Sequence, residues 1–315
     1  MKIVFFGTPS IAANILDRLL KNGVEVVAVV TKPDKPQGRS QKMQSSAVKS
    51  LVKKSYPHIP VLEPVKVSTL EWQSVLEKYQ ADLFVVVAYG EIIKQNILNI
   101  PKKGCINVHA SLLPKYRGAA PIHRAIINDE KESGICIMEM VLALDAGDVL
   151  HVEKVPISES MTTGDLEKEL EHLGFLGLIK TLENFDEKLK NKAKQDESLV
   201  TYAPKITTQE CQIDWSKSPL HIHNLVRGVT PYPGAWCFVQ FEDDSNSPTR
   251  IKIKKTSLSN LSLSGAPGSV FIKDKQRLFV KADGGSLEIL EVHLEGKKGM
   301  SSVDFLKGYK IKNFL

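Results

Sequence analysis

Asp82-Leu83-Phe84-Val85-Val86-Val87-Ala88 is an unbroken apolar run, opened by a carboxylate and closed by the turn residue Gly90. A short run rich in valine with no polar alternation fits a strand buried on both faces, as in the middle of a parallel sheet. Working outward, Lys2 to Phe6 reads as a second buried strand, followed by a helix from about Ser10 to Lys21 and a strand from Val24 to Val30. Helical spacing covers Ser68 to Tyr79, and strands are expected at Gly104 to His109 and Gly134 to Met140. This alternation predicts an α/β fold with a doubly wound, Rossmann-like, mostly parallel sheet.

A helix-rich stretch from Thr162 to about Leu189 closes this half, with Thr162 or Thr163 available as its cap. The polar, lysine-bearing stretch after it has little apolar periodicity and reads as a linker. Beyond it the pattern changes to short strands at Trp236 to Phe241, Arg250 to Ser257, Val270 to Ile272, Leu278 to Lys281 and Ser286 to Leu294. Ile251 and Ile253 alternate with Arg250, Lys252 and Lys254, giving one apolar and one basic face. Several short strands suggest a small OB-like β-barrel. The expected domains are therefore 1–189, a linker over 190–205, and 206–315.

The 315 residues are enough for two domains. No apolar stretch approaches the roughly 20 residues of a membrane helix, and the first residues do not resemble a signal peptide, so a cytoplasmic protein without a membrane partner is expected. Cys105, Cys136, Cys211 and Cys237 form no C-x-x-C pair and read as buried free thiols. His221 and His223 follow the helix-start signal Ser218-Pro219, and residues two apart on a helix point away from each other, so no metal site is expected. The net charge is +6, and it is unevenly spread. Between Thr31 and Lys54 stand Lys32, Lys35, Arg39, Lys42, Lys49, Lys53 and Lys54, against Asp34 alone. A basic window of this kind suits a polyanionic partner.

Gly7-Thr8-Pro9-Ser10 follows the first strand, but no G-x-G-x-x-G is present, which argues against a dinucleotide site. The informative stretch runs from Cys105 to Ile122. Asn107 and His109 lie two apart on a strand and so share a face, near the strand's C-terminal end, where open α/β sheets bind ligands. An amide donor beside an imidazole suits acyl transfer, the first for a developing oxyanion and the second for proton exchange.

Asn107-Val108-His109, Ser111-Leu112-Leu113-Pro114-Lys115-Tyr116-Arg117-Gly118-Ala119-Ala120-Pro121-Ile122 and Leu144-Asp145-Ala146-Gly147-Asp148 together resemble the folate-dependent formyltransferase family. The resemblance runs from Met1 to about Leu189. It implies transfer of a formyl group from 10-formyltetrahydrofolate to an amine, with no metal. It places the catalytic trio on Asn107, His109 and Asp145, and the folate contacts on Ser111, Leu112, Leu113 and Pro114, with Ala88, Tyr89, Gly90, Leu142 and Leu144 lining the same pocket. In such a trio Asn107 and a protonated His109 would donate to the formyl oxygen, and Asp145 is the expected acceptor of the amine proton, directly or through water. Asp145 is also expected to raise the pKa of His109.

The acceptor is indicated by other stretches. Thr31-Lys32-Pro33-Asp34-Lys35-Pro36-Gln37-Gly38-Arg39 resembles the basic loop of family members that act on methionyl initiator tRNA, although Ser40-Gln41-Lys42 is spaced more loosely than the family pattern. Asp214-Trp215, Arg227-Gly228, Pro231-Tyr232-Pro233-Gly234-Ala235-Trp236, Gly296-Lys297-Lys298-Gly299-Met300 and Phe305-Leu306-Lys307-Gly308 extend the likeness through the last domain. The resemblance implies an initiator tRNA partner contacted by Arg39, Lys35 and Lys42, and a monomer.

Overall fold

Leu83–Val87 lies inside a seven-stranded sheet of the computed structural model, with all of its residues buried. The structure describes residues 1–37, 42–242 and 248–315. The sheet is built from β1 (Ile3–Gly7), β2 (Val26–Val30), β3 (Val61–Leu62), β4 (Leu83–Val87), β5 (Cys105–His109), β6 (Glu132–Glu139) and β7 (Val149–Pro156). Their spatial order is β3-β2-β1-β4-β5-β6-β7. The pairs from β3 to β5 are parallel, whereas β6 runs antiparallel to both β5 and β7. The strand order reverses at β1 and β4, so the loops after β1, β4 and β5 open at the ends where such sheets receive ligands.

The helix Ser10–Lys21 buries Ala12, Ala13, Ile15, Leu16 and Leu19, the single stripe that its apolar spacing predicts. Gly7 has a packing reason to be glycine. A Cβ there would come within 2.7 Å of the Ala12 Cβ and 3.1 Å of the Val87 carbonyl oxygen.

By contact the chain divides into two units. The first contains Met1–Pro121, Glu132–Pro156 and Glu167–Ala203, and the second contains Ile122–Lys131, Ile157–Leu166 and Pro204–Leu315. The helix Thr163–Glu183 begins on a reciprocal cap: Thr162 Oγ1 accepts from the Asp165 N–H, and an Asp165 carboxylate oxygen accepts from the Thr162 N–H.

The stretch 190–205, expected to be a linker, is tied down over most of its length within the first unit. Ala193 exchanges backbone hydrogen bonds with Val149 at 2.8 and 2.9 Å, and Lys192 donates to Glu139. Tyr202–Ala203 pairs in parallel with Arg117–Gly118. These are backbone pairings and a side-chain ion pair, which leave no apolar period in the sequence.

The second unit holds an antiparallel sheet with β8 (Ala235–Phe241), β9 (Thr249–Ser259), β10 (Val270–Lys273), β11 (Arg277–Ala282), β12 (Gly285–Leu294) and β13 (Ile311–Phe314), in the order β10-β11-β12-β9-β8-β13. The ends approach each other: the Phe314 N–H donates to the Gly268 carbonyl at 2.9 Å, and Ser269 bridges Asn313, so the sheet nearly closes into a barrel. Its interior is filled by Ile251, Ile253, Leu278, Val280, Leu287, Ile289 and Val292 among others, the inward half of each alternation. His221 and His223 lie on the helix Pro219–Gly228, whose cap Ser218 accepts from the His221 N–H. His223 meets Thr256 and the Glu159 carbonyl. All four cysteines are buried and free. Among the described residues no helix is long and apolar enough to cross a membrane.

Candidate active site

β5 ends on His109, and its alternation puts Asn107 and His109 on one face. Asn107 is half-buried, and its side-chain amide has no hydrogen-bond partner among the described residues. His109 is buried, with Nε2 3.0 Å from the Tyr116 carbonyl oxygen. A carbonyl can only accept, so that nitrogen carries the proton and Nδ1 is left facing Asp145. Nδ1 stands 3.6 Å from Asp145 Oδ2. The same oxygen accepts from the Gly118 N–H at 2.8 Å.

The expected rise in the His109 pKa is not what this environment produces. Burial pushes the imidazole below its ordinary value, and the opposing pull of Asp145 and the Tyr116 carbonyl does not overcome it. Desolvation of a fully enclosed ring outweighs one carboxylate that is beyond hydrogen-bond distance. The resting imidazole is therefore neutral near pH 7.

Asp145 sits in a tight turn with φ +48°, a left-handed conformation uncommon for a residue with a side chain. Two residues later a Cβ on Gly147 would overlap the Glu139 carbonyl oxygen, so only glycine lets the turn lie this close to β6. From the other side the Gln195 side chain reaches the turn. Its Nε2 donates to the carbonyls of Asp145 and Gly147, each at 2.8 Å.

The remaining expected contacts fall around this pair. Ser111 is buried and its hydroxyl donates to the Lys115 carbonyl at 2.6 Å, while Leu112, Leu113 and Pro114 are partly exposed. Ala88, Tyr89 and Gly90 form the loop after β4, where Ala88 and Gly90 both take positive φ. Tyr89 packs edge-on against Phe6, and its buried hydroxyl has no hydrogen-bond partner among the described residues. Val141, Leu142 and Leu144 are exposed in the Asp145 turn.

Lys35 and Lys42 are exposed on a small hairpin, Lys35–Gln37 against Lys42–Gln44. Arg39 lies outside the described residues. Two other bases of the window are neutralised internally: Lys32 pairs with Glu91 at 2.5 Å, and the buried Lys49 pairs with both Asp34 and Glu63 at 2.7 Å.

Residues 1–182 match the family model described as "Formyl transferase", and residues 205–310 match "Formyl transferase, C-terminal domain". The chain belongs to the formyl transferase family. A relative from Protochlamydia amoebophila, described as methionyl-tRNA formyltransferase, is 49% identical over 98% of this chain and 95% of its own length. A protein of the same description from Chlamydia pneumoniae is 41% identical over 99% of this chain and 96% of its own. Among solved structures, an N-formyltransferase from Helicobacter canadensis, in complex with folinic acid and dTDP-3-aminofucose, aligns with a TM-score of 0.66 at 23% identity. That alignment covers 92% of this chain and 98% of the other, and the likeness is one of fold.

Sequence reasoning did not find the groups that hold the Asp145 turn. The Gly118 N–H on Asp145 lies within a quoted motif, but which group it bonds depends on the fold. Gln195 stands in a polar segment with no pattern to mark it.

Proposed function

We infer that this chain transfers a formyl group to the amine of methionyl initiator tRNA, supporting translation initiation. The observation that carries this reading is full-length likeness to methionyl-tRNA formyltransferases, 49% in one case, in a chain whose His109 and Asp145 meet at the open end of β5.

The donor is 10-formyltetrahydrofolate in this reading, and it supplies the activated formyl carbon. The residues present suit such a group. Asn107 is half-buried with no side-chain hydrogen bond among the described residues, and Val141, Leu142 and Leu144 offer exposed apolar surface to a flat ring. Ser111 to Pro114, Ala88 to Gly90, Leu142 and Leu144 would hold it. Ser111 acts indirectly, by fixing its own loop.

Asn107 donates through its amide N–H to the formyl oxygen as negative charge builds there. A neutral His109 cannot supply a second strong donor, and its Nδ1 is free to accept. His109 and Asp145 together carry one negative charge and can take one proton. The amine's proton passes to Asp145, directly or through water, with His109 Nδ1 a second position for it 3.6 Å away. The pair would return it to the donor nitrogen as the bond from that nitrogen to the formyl carbon breaks. Arg39, Lys35 and Lys42 would contact tRNA phosphates near the acceptor end, and the barrel's basic residues would hold its body. The chain would work in the cytoplasm, as a monomer.

A labelled formyl donor should be offered with methionyl initiator tRNA and, separately, with a nucleotide-linked amino sugar. Label is expected on the tRNA. Label on the sugar alone would overturn the assignment of the acceptor.

A further inference from the structure

Asp145 is the one member of the proposed trio whose backbone is held in a sparsely populated conformation, with φ +48°. Such a conformation costs on the order of 1–3 kcal/mol and persists only where surrounding groups hold it. The Gln195 side chain is such a group. The two hydrogens of its amide nitrogen serve two acceptors, the Asp145 and Gly147 carbonyls, at 2.8 Å each. These carbonyls bracket the Ala146–Gly147 step and so fix the exit of the chain from Asp145.

Which end of the amide faces the turn is set by Arg117. Its Nε and one terminal nitrogen donate to Gln195 Oε1 at 3.0 and 2.8 Å. A guanidinium has donors only, so the oxygen end is held toward Arg117 and the nitrogen end toward the turn. Arg117 is 4% exposed, and Glu197 accepts from its outer edge. The arginine also precedes Gly118, whose N–H holds the Asp145 carboxylate at 2.8 Å. A Cβ on Gly118 would approach the Ala203 carbonyl oxygen to 2.8 Å, so the pairing of Tyr202–Ala203 with Arg117–Gly118 depends on that glycine. The backbone and the carboxylate of Asp145 are thus gripped from one side by one local structure.

We propose that Gln195, oriented by Arg117, is a positioning residue for formyl transfer, clamping the Asp145 turn so that its carboxylate stays beside His109. The proposal rests on the catalytic reading of Asp145 given above. Its effect should fall on kcat, because a displacement of about 1 Å in a reacting group can cost on the order of a hundredfold in rate.

The test uses the full chain, 10-formyltetrahydrofolate and methionyl initiator tRNA. Gln195→Met matches the length and removes the amide. Gln195→Glu keeps an oxygen for Arg117 and removes the two donors. Both are expected to lower kcat about tenfold or more, with the KM for tRNA within about threefold of wild type. Asp145→Asn is measured alone and combined with Gln195→Met. If Gln195 acts through Asp145, the double variant is no slower than Asp145→Asn by itself, since a shared effect is not additive. A Gln195→Glu protein with wild-type kcat would overturn the clamp. An equal further loss from Gln195→Met in the Asp145→Asn background would also overturn it, because general damage to the fold is felt in both backgrounds. Full activity in Asp145→Asn alone would defeat the catalytic reading of Asp145, a failure distinguishable from that of the clamp.

Discussion

Asp145 Oδ2 stands 3.6 Å from His109 Nδ1 while accepting the Gly118 N–H at 2.8 Å. The carboxylate is therefore fixed by backbone and faces the imidazole without a direct hydrogen bond to it. Burial holds the imidazole below its ordinary value, so near pH 7 its Nδ1 faces that carboxylate without a proton.

Removing the Asn107 side-chain donor on β5 should act on the transition state. Asn107→Ala is expected to lower kcat on the order of 10²–10³-fold, the range for loss of one oxyanion donor, with a much smaller change in the KM for tRNA. Steady-state kinetics at varied tRNA check this. A normal kcat in folded protein removes Asn107 from the chemistry.

Gly147→Ala should be poorly tolerated, because the added methyl overlaps the Glu139 carbonyl oxygen and backbone must move. A loss of about 1–3 kcal/mol is expected from chemical unfolding, with reduced kcat as the Asp145 turn shifts. Wild-type values in both measurements would show that the turn relaxes freely.

The hairpin lysines should report on phosphate contacts. Lys35→Ala and Lys42→Ala are each expected to raise the KM for tRNA and leave donor binding unchanged. Plots of log KM against log salt should be shallower by about 0.7–0.9 per lost contact. Arg39→Ala should weaken tRNA use more than either, with only partial recovery in Arg39→Lys. Unchanged salt dependence in all of these variants would remove the loop from the tRNA interface.

Stability should fall on the acid side of neutrality. His109, His123 and His223 are all pushed below the ordinary histidine value, in each case chiefly by burial. As pH falls below about 6.5 the unfolded chain takes up these protons before the folded one does, so unfolding becomes easier. Above that pH the groups are neutral in both states and the effect vanishes. Urea midpoints at about pH 7.5 and about pH 5.5 should differ in this direction, and less so in His223→Gln. A midpoint that does not fall on acidification would contradict the burial account.

The centre of the fold was legible because Leu83–Val87 and Ile3–Gly7 are buried on both faces and carry no polar residue to obscure the pattern. The edges were not. Val61–Leu62 pairs over two residues, and Val149–Pro156 buries only Leu150 and carries His151, Glu153 and Lys154, so it reads as polar chain. Asn107 and His109 could be placed together from strand alternation, but the meeting of His109 with Asp145 depends on how β5 and the turn after β6 pack, which no local spacing encodes. The neutrality of His109 was missed for a related reason: a carboxylate neighbour can be guessed from a motif, whereas the degree of enclosure cannot. Gln195 is the extreme case, a polar residue in a polar segment whose role exists only through its contacts.

The most direct measurement is single-turnover formylation of methionyl initiator tRNA by Asp145→Asn, with the variant in excess over bound tRNA at about pH 7.5. Asparagine preserves the shape and an oxygen for the Gly118 N–H but cannot accept the amine's proton. The account predicts a rate constant lower by about a hundredfold or more with tRNA affinity retained, in line with the loss of general base catalysis. A rate constant within about threefold of wild type would contradict the assignment of the His109–Asp145 pair as the proton acceptor.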